Sequence, residues 1–252
     1  MCMCELLGFT SDHAVEINEY LKEFYSHSIK HPHGWGLMRE QNGRIEIIKE
    51  PVCASESQKI AEIIDRTQPQ TTALAHIRMA TIGYIKQENC HPFSGTDNTG
   101  RCWTLIHNGT IYSGKMLMKY LHTQTGETDS ERIFLALLDV INENHPRTAQ
   151  ERFEAVERFV ISISKRNKLN LMIYDGELLY VHQNMEDTLY YKTENGSIIF
   201  STVPLDNGTW EKYPLTQLCA FSGGKKVFEG TKHEYVFVPS LEYITALDAM
   251  HI

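Results

Sequence analysis

The chain has 252 residues, 42% of them hydrophobic, which is enough to bury a sizeable core in one large domain or two small ones. A formal net charge of −8 argues against a nucleic-acid or anionic-membrane surface. Six cysteines lie scattered without a repeating spacing, no basic segment leads into an apolar signal region, and no apolar run reaches membrane-span length; reduced thiols in a soluble, cytoplasmic protein are expected, with no designed metal site.

In chain order, Cys4–Phe9 reads as a buried strand. Asp12 is a plausible N-cap for a helix whose apolar positions are Ala14, Ile17, Tyr20, Leu21, Phe24 and Tyr25. His31-Pro32-His33-Gly34 breaks it, and Gly34–Met38 starts a strand that Asn42-Gly43 turns into Arg44–Lys49. A helix over Glu56–Ile64 precedes a strand over Thr71–Ile77 that ends at Arg78. Gly83–Gly100 reads as a long polar loop, of a length that is usually functional or disordered. Arg101–Ile106 is a strand stopping at His107-Asn108-Gly109-Thr110. Helices follow at Gly114–Leu121, Ser130–Asn144 and Ala149 to about Lys165.

The last third is β-rich. Hairpins turn at Asp175-Gly176, Asn195-Gly196 and Gly223-Gly224, and His233–Val238 closes a sheet. With no linker, low-complexity segment or repeat, residues 1–252 read as one domain. Strands first, helices in the middle and strands last suggest two antiparallel sheets with helices outside, an α+β arrangement.

The N-terminal stretch Met1-Cys-Met-Cys-Glu-Leu-Leu-Gly8 organises the functional reading. An N-terminal Cys carries a nucleophilic sulfur and, in its α-amine, a base with a pKa of roughly 7.7–8.0. Only the first residue of a mature chain qualifies, so Cys2 and Cys4 are alternatives. Three further polar groups sit at strand ends or helix starts. Arg78 suits bidentate recognition of a carboxylate. The Asn108 carboxamide and the Gly109 N–H make a plausible oxyanion hole, although Asn-Gly is equally the signature of an ordinary turn. In Gly126-Glu-Thr-Asp-Ser-Glu131, Thr128 or Asp129 caps the next helix, or Asp129 presents its carboxylate to an ammonium.

Together these residues resemble the class II glutamine amidotransferases, which are N-terminal-nucleophile hydrolases, and in particular their small stand-alone branch. The resemblance rests on Cys4-Glu-Leu-Leu-Gly8, Gly34-Trp-Gly36, His76-Ile-Arg-Met-Ala-Thr81, Asn89 with His91-Pro-Phe93, Trp103 with His107-Asn-Gly109, and Gly126–Glu131. Asn170-Leu-Met-Ile-Tyr-Asp-Gly176 and Pro204-Leu205 through Trp210 continue it in order. The family's nucleophile stands four residues before the first Gly of the opening strand, which points to Cys4. Met1-Cys2-Met3 ahead of it is a departure. Met3 is the true start, or a short leader is removed, or this copy is unprocessed and inactive.

The resemblance implies a four-layer αββα sandwich and a glutamine amidotransferase or amidohydrolase that needs no cofactor or metal. It also implies roles. Arg78 holds the glutamine α-carboxylate, Asp129 the α-ammonium, Thr81 shapes the pocket, and Asn108 with Gly109 stabilises the oxyanion. The expected partners are glutamine or a small γ-glutamyl compound, and an enzyme that accepts ammonia. The alternative is a non-catalytic subunit that binds a γ-glutamyl ligand or a partner.

Overall fold

The structure, a computed structural model, describes residues 4–41 and 43–240. Cys2, half of the N-terminal alternative, lies outside the described residues.

Alternation along the first strand determines the layering. Strand β1 (Glu5–Val15) turns Leu7 and Phe9 to one face and Leu6 to the other, and all three are buried. A strand apolar on both faces must be covered on both. On the Leu7 side lie Trp35 and Leu37 of β2 (Trp35–Gln41) and Ala73, Ala75 and Ile77 of β4 (Gln70–Ile77), beneath helices α1 (Asn18–Ser26) and α2 (Gln58–Asp65). On the Leu6 side lie Met38 and Leu74 of the same sheet. Facing them are Ile106 of β6 (Cys102–Thr110) and Met172 of β7 (Lys168–Tyr174) in a second sheet.

The first sheet is completed by β3 (Arg44–Glu50), β9 (Tyr190–Glu194), β10 (Ser197–Ser201) and β11 (Glu211–Lys212), in the order β11-β9-β10-β1-β4-β2-β3. The second is completed by β5 (Phe93–Thr96), β8 (Leu179–His182), β12 (Cys219–Ser222) and β13 (Lys225–Glu229), in the order β13-β12-β8-β7-β6-β5. The paired strands in both are antiparallel. The outer face of the second sheet, with Trp103, Leu105, Leu171 and Ile173, is covered by α4 (Asp129–Asn144) and α5 (Ala149–Ser164), the latter opened by a Thr148–Glu151 capping box. The result is the expected αββα order of layers. The sheets pack tightly at Gly8, where an added Cβ would stand 2.5 Å from Met172 Sδ. Among the described residues, no helix is long and apolar enough to cross a membrane.

Several elements differ from the sequence reading. Asp12 caps nothing. It lies inside β1, its N–H bonds the Gly196 carbonyl (3.2 Å) and its carboxylate meets His13 Nδ1 (2.6 Å), while α1 starts at Asn18 without a side-chain cap. The Gly83–Gly100 stretch is not structureless, because β5 pairs with β6 there and finishes the sheet edge. Helix α2 starts later than expected, at Gln58, after the N-cap Ser57, whose Oγ accepts the Ile60 N–H (3.4 Å). The helix read at Gly114–Leu121 is a short α3 (Lys115–Met118) followed by a 3-10 turn. His233–Val238 is no strand, and two backbone bonds, to Thr216 and Asn184, hold it instead.

Candidate active site

The inner faces of the two sheets carry polar residues to one end of the sandwich. His76 on β4 stacks on His91 at 4.0 Å, and His91 leads into β5, whose Phe93 pairs with Leu105 of β6. The C-terminal ends of β4 and β6 therefore lie over one another. Continuing the inner series by one step puts Arg78 after Leu74 and His76, Asn108 after Ile106, and Cys4 before Leu6 and Gly8. Burial holds His76 and His91 well below the usual histidine range, so both rings are neutral at pH 7.

Cys4 is partly exposed, and its sulfur rests on the backbone of Met79, 3.4 Å from the N and 3.5 Å from the O. Glu5 pairs with Ile77 across β1 and β4, so the thiol lies beside the start of the Arg78 segment.

Arg78 is buried, and its backbone is fixed on both sides: its N–H donates to Gly34 O (2.8 Å) and its O accepts the His33 N–H (3.0 Å). Glycine is required nearby, because a Cβ at Gly36 would fall 1.9 Å from His91 O. The guanidinium donates to the carbonyls of Ile82 (2.8 Å), Gly83 (3.3 Å) and Tyr84 (3.0 Å). Three bonds from five N–H donors leave at least two for another acceptor. His33 Nδ1 accepts the Ala80 N–H (2.9 Å), which places the ring hydrogen on Nε2. Burial, and then the Arg78 charge, pushes the His33 pKa down. Thr81 follows on the exposed turn.

Asn89 closes this turn. Its Nδ2 donates to Tyr84 O (2.9 Å) and to Glu127 Oε2 (2.5 Å), and its Oδ1 accepts the Glu127 N–H (2.8 Å). Gly83 and Gly126 make room: a Cβ would meet Asn89 at 2.8 Å from the first and 2.3 Å from the second. Lys86 pairs with Glu127 across the same gap.

Asn108-Gly109 is not a turn. Both residues lie in β6, opposite Asn170 and Leu169 of β7. Asn108 is fully buried, and Lys168 Nζ donates to its Oδ1 (3.2 Å). Gly109 has no alternative residue, since a Cβ there would lie 2.0 Å from the Lys168 carbonyl oxygen. Just beyond, Thr128 caps α4 by accepting the Glu131 N–H (3.2 Å), and Glu131 folds back onto the N–H groups of Thr125 (2.6 Å) and Gly126 (2.7 Å). Asp129 is thereby released from capping. Its Oδ2 accepts the Ile111 N–H (2.8 Å), which draws the carboxylate to the end of β6. His107, on the outer face, bonds Ser130 Oγ through Nδ1 (2.9 Å) and is kept neutral-leaning by burial, against the opposing pull of Asp129.

Of the residues singled out in the sequence, Cys4, Arg78, Asn108, Gly109 and Asp129 thus belong to one end of the molecule, and Thr81 stands exposed beside them. Asn89 and Glu127 carry the resemblance there without an assigned role, and His33 and Lys168 are given no function. Lys168 gave no signal at all, because a lysine just ahead of an apolar run reads as a solvent-facing start.

A family model described as glutamine amidotransferases class-II matches residues 3–195. The chain belongs to this family. Among curated relatives of this class II amidotransferase, an uncharacterized protein of Methanocaldococcus jannaschii is 27% identical over 91% of this chain and 72% of its own length. YafJ of Escherichia coli, named as a candidate glutamine amidotransferase, is 28% identical over 80% of each chain. Among solved structures, a predicted glutamine amidotransferase from Pseudomonas aeruginosa shares the fold with a TM-score of 0.64 at 20% identity, covering 89% of this chain and all of that one. The phosphoribosylpyrophosphate amidotransferase of B. subtilis does so with a TM-score of 0.66 at 14% identity, over 89% of this chain and 48% of that one.

Proposed function

We propose that this class II amidotransferase hydrolyses the side-chain amide of glutamine, or of a related γ-glutamyl compound, with Cys4 as nucleophile and mature N-terminus. The observation that carries the reading is the convergence of Cys4, Arg78 and Asn108 on the inner faces at one end of the sandwich. In this reading the spare Arg78 donors take the α-carboxylate, the Asp129 carboxylate takes the α-ammonium, and Thr81 borders the pocket.

The Cys4 sulfur, its proton passed to its own α-amine, attacks the amide carbon. The S–C bond forms while the carbonyl oxygen takes negative charge, received by Asn108 Nδ2 and the Gly109 N–H. The C–N bond then breaks, and the α-ammonium gives its proton to the departing ammonia or amine. Water attacks the γ-glutamyl thioester by the same route in reverse, giving glutamate and restoring the thiol. None of these steps requires a metal or redox group. The ammonia passes to a partner enzyme or to solvent, according to the physiological substrate.

The test joins intact mass to turnover. A purified chain that starts at Cys4, hydrolyses glutamine or γ-glutamyl peptides, and loses activity as Cys4→Ser but not as Cys2→Ser supports the reading. A chain that keeps its first three residues and turns over neither substrate overturns it.

A further inference from the structure

We propose that Lys168 is a positioning residue that sets both halves of the oxyanion hole; the proposal rests on the role given to Asn108 and Gly109 above. Lys168 is fully buried at the start of β7, and its Nζ reaches Asn108 Oδ1 at 3.2 Å. An ammonium only donates, so it accepts no orientation of the carboxamide except the one with oxygen toward it. The two N–H donors of Asn108 are then forced onto the other branch of the group. That is the orientation an oxyanion needs, and the flipped amide would present it a carbonyl oxygen instead. The charge also polarises the carboxamide, which strengthens its N–H as a donor.

The same residue acts on the second donor through its backbone. The Lys168 carbonyl oxygen would lie 2.0 Å from a Cβ at position 109, so it packs directly against the bare Gly109 backbone and fixes it. His107 Nε2, 3.4 Å from that oxygen, steadies it from the outer face.

The surroundings of the ammonium add a second argument. Buried lysines are normally paired with a carboxylate. Among the described residues, the bond to Asn108 is the one polar contact of Lys168 Nζ, and Lys168 forms no ion pair with a carboxylate. The negative charge that would complete this site is the one that develops on the substrate oxygen. Lys168 thus favours the tetrahedral state over bound substrate, an effect expected in kcat rather than KM.

The experiment is a double-mutant cycle on the processed protein with glutamine as substrate. Lys168→Met should lower kcat about 10- to 100-fold with KM little changed. In an Asn108→Ala background the same substitution should cost nothing further. Equal turnover of Lys168→Met and the parent overturns the positioning role alone, as does a loss of the same size in both backgrounds, which marks a merely structural lysine. Absence of glutamine and γ-glutamyl turnover in the parent overturns the functional reading and this role with it. If Lys168→Met does not fold, the Asn108 variants decide. Asn108→Asp keeps an acceptor for the ammonium and should hold its Tm above that of Asn108→Ala, although both lose turnover. Equal Tm values for the two overturn the proposal.

Discussion

Asn89 and Glu127 grip each other at both ends of one carboxamide: Asn89 Nδ2 donates to the Glu127 carboxylate at 2.5 Å, and Asn89 Oδ1 accepts the Glu127 N–H at 2.8 Å. The pair joins the turn that wraps Arg78 to the segment that leads into Asp129. Asn89→Ala strips the partly buried Glu127 N–H of its acceptor and should destabilise the protein by about 1–3 kcal/mol. It should also raise KM for glutamine and open the 83–88 turn to protease. Unchanged melting and unchanged cleavage would show that the clasp does no work.

Thr128 and Asp129 are neighbours with separable duties. Thr128→Ala removes a cap and should cost about 1 kcal/mol in thermal unfolding, with KM nearly intact. Asp129→Asn keeps the acceptor for Ile111 but removes the charge, and should raise KM for glutamine with little change in Tm. If Asp129→Asn leaves KM where it was, the α-ammonium is held elsewhere.

Asn108→Ala should reduce kcat by about 10²–10³ through the loss of one donor to the oxyanion. Single-turnover measurement of ammonia release separates this from slower binding. Undiminished turnover would remove Asn108 from the proposed chemistry.

His182 gives a pH dependence with a definite sign. Its Nδ1–H donates to Leu169 O (2.9 Å), so its Nε2 must accept from His233 Nε2 (3.0 Å), whose own Nδ1 accepts the Tyr235 N–H (3.2 Å). Burial, and then His233, lowers the His182 pKa to about 3. The folded value lies below the unfolded one of about 6.5, so the unfolded chain binds the extra proton first. The stability carried by the neutral ring is complete above about pH 6.5 and drains away as the pH falls toward 3. Denaturant titrations across that window should show a steeper acid loss in the parent than in His182→Gln. Parallel curves would mean that the ring does not govern the acid limb.

Gly36→Ala tests the closest backbone approach near Arg78. With His91 O 1.9 Å from the new methyl position, the strand must shift, and a loss of about 3 kcal/mol or more is expected in urea unfolding. A loss below about 1 kcal/mol would mean that β2 and the 91–93 segment move apart freely.

Local chemistry made much of the fold legible. Asn195 and Gly196 take φ of 46° and 77°, the turn that their sequence demands between β9 and β10. The helix expected from Ala149 is α5, and its start is held by the Thr148–Glu151 capping box. The same local logic misled at Asn108-Gly109, where a turn-forming dipeptide stays extended because β7, some sixty residues on, pairs with it. It misled at Asp12 as well, where Gly196 holds the segment in β1. The charged groups named for the site were visible as residue types at strand ends. What surrounds them was not, since Asn89 meets Glu127, and Lys168 meets Asn108, only after the chain has folded.

In the proposed reaction the sulfur hangs from one sheet and the donors that receive the charge hang from the other. Neither strand by itself fixes the gap between them. The thickness of the apolar filling does, and one tight point in it is Gly8 against Met172. A methyl group inserted there would act as a shim, widening the jaws of the catalytic end from well inside the hydrocarbon interior. Grease, in this molecule, is the gauge to which the chemistry is machined.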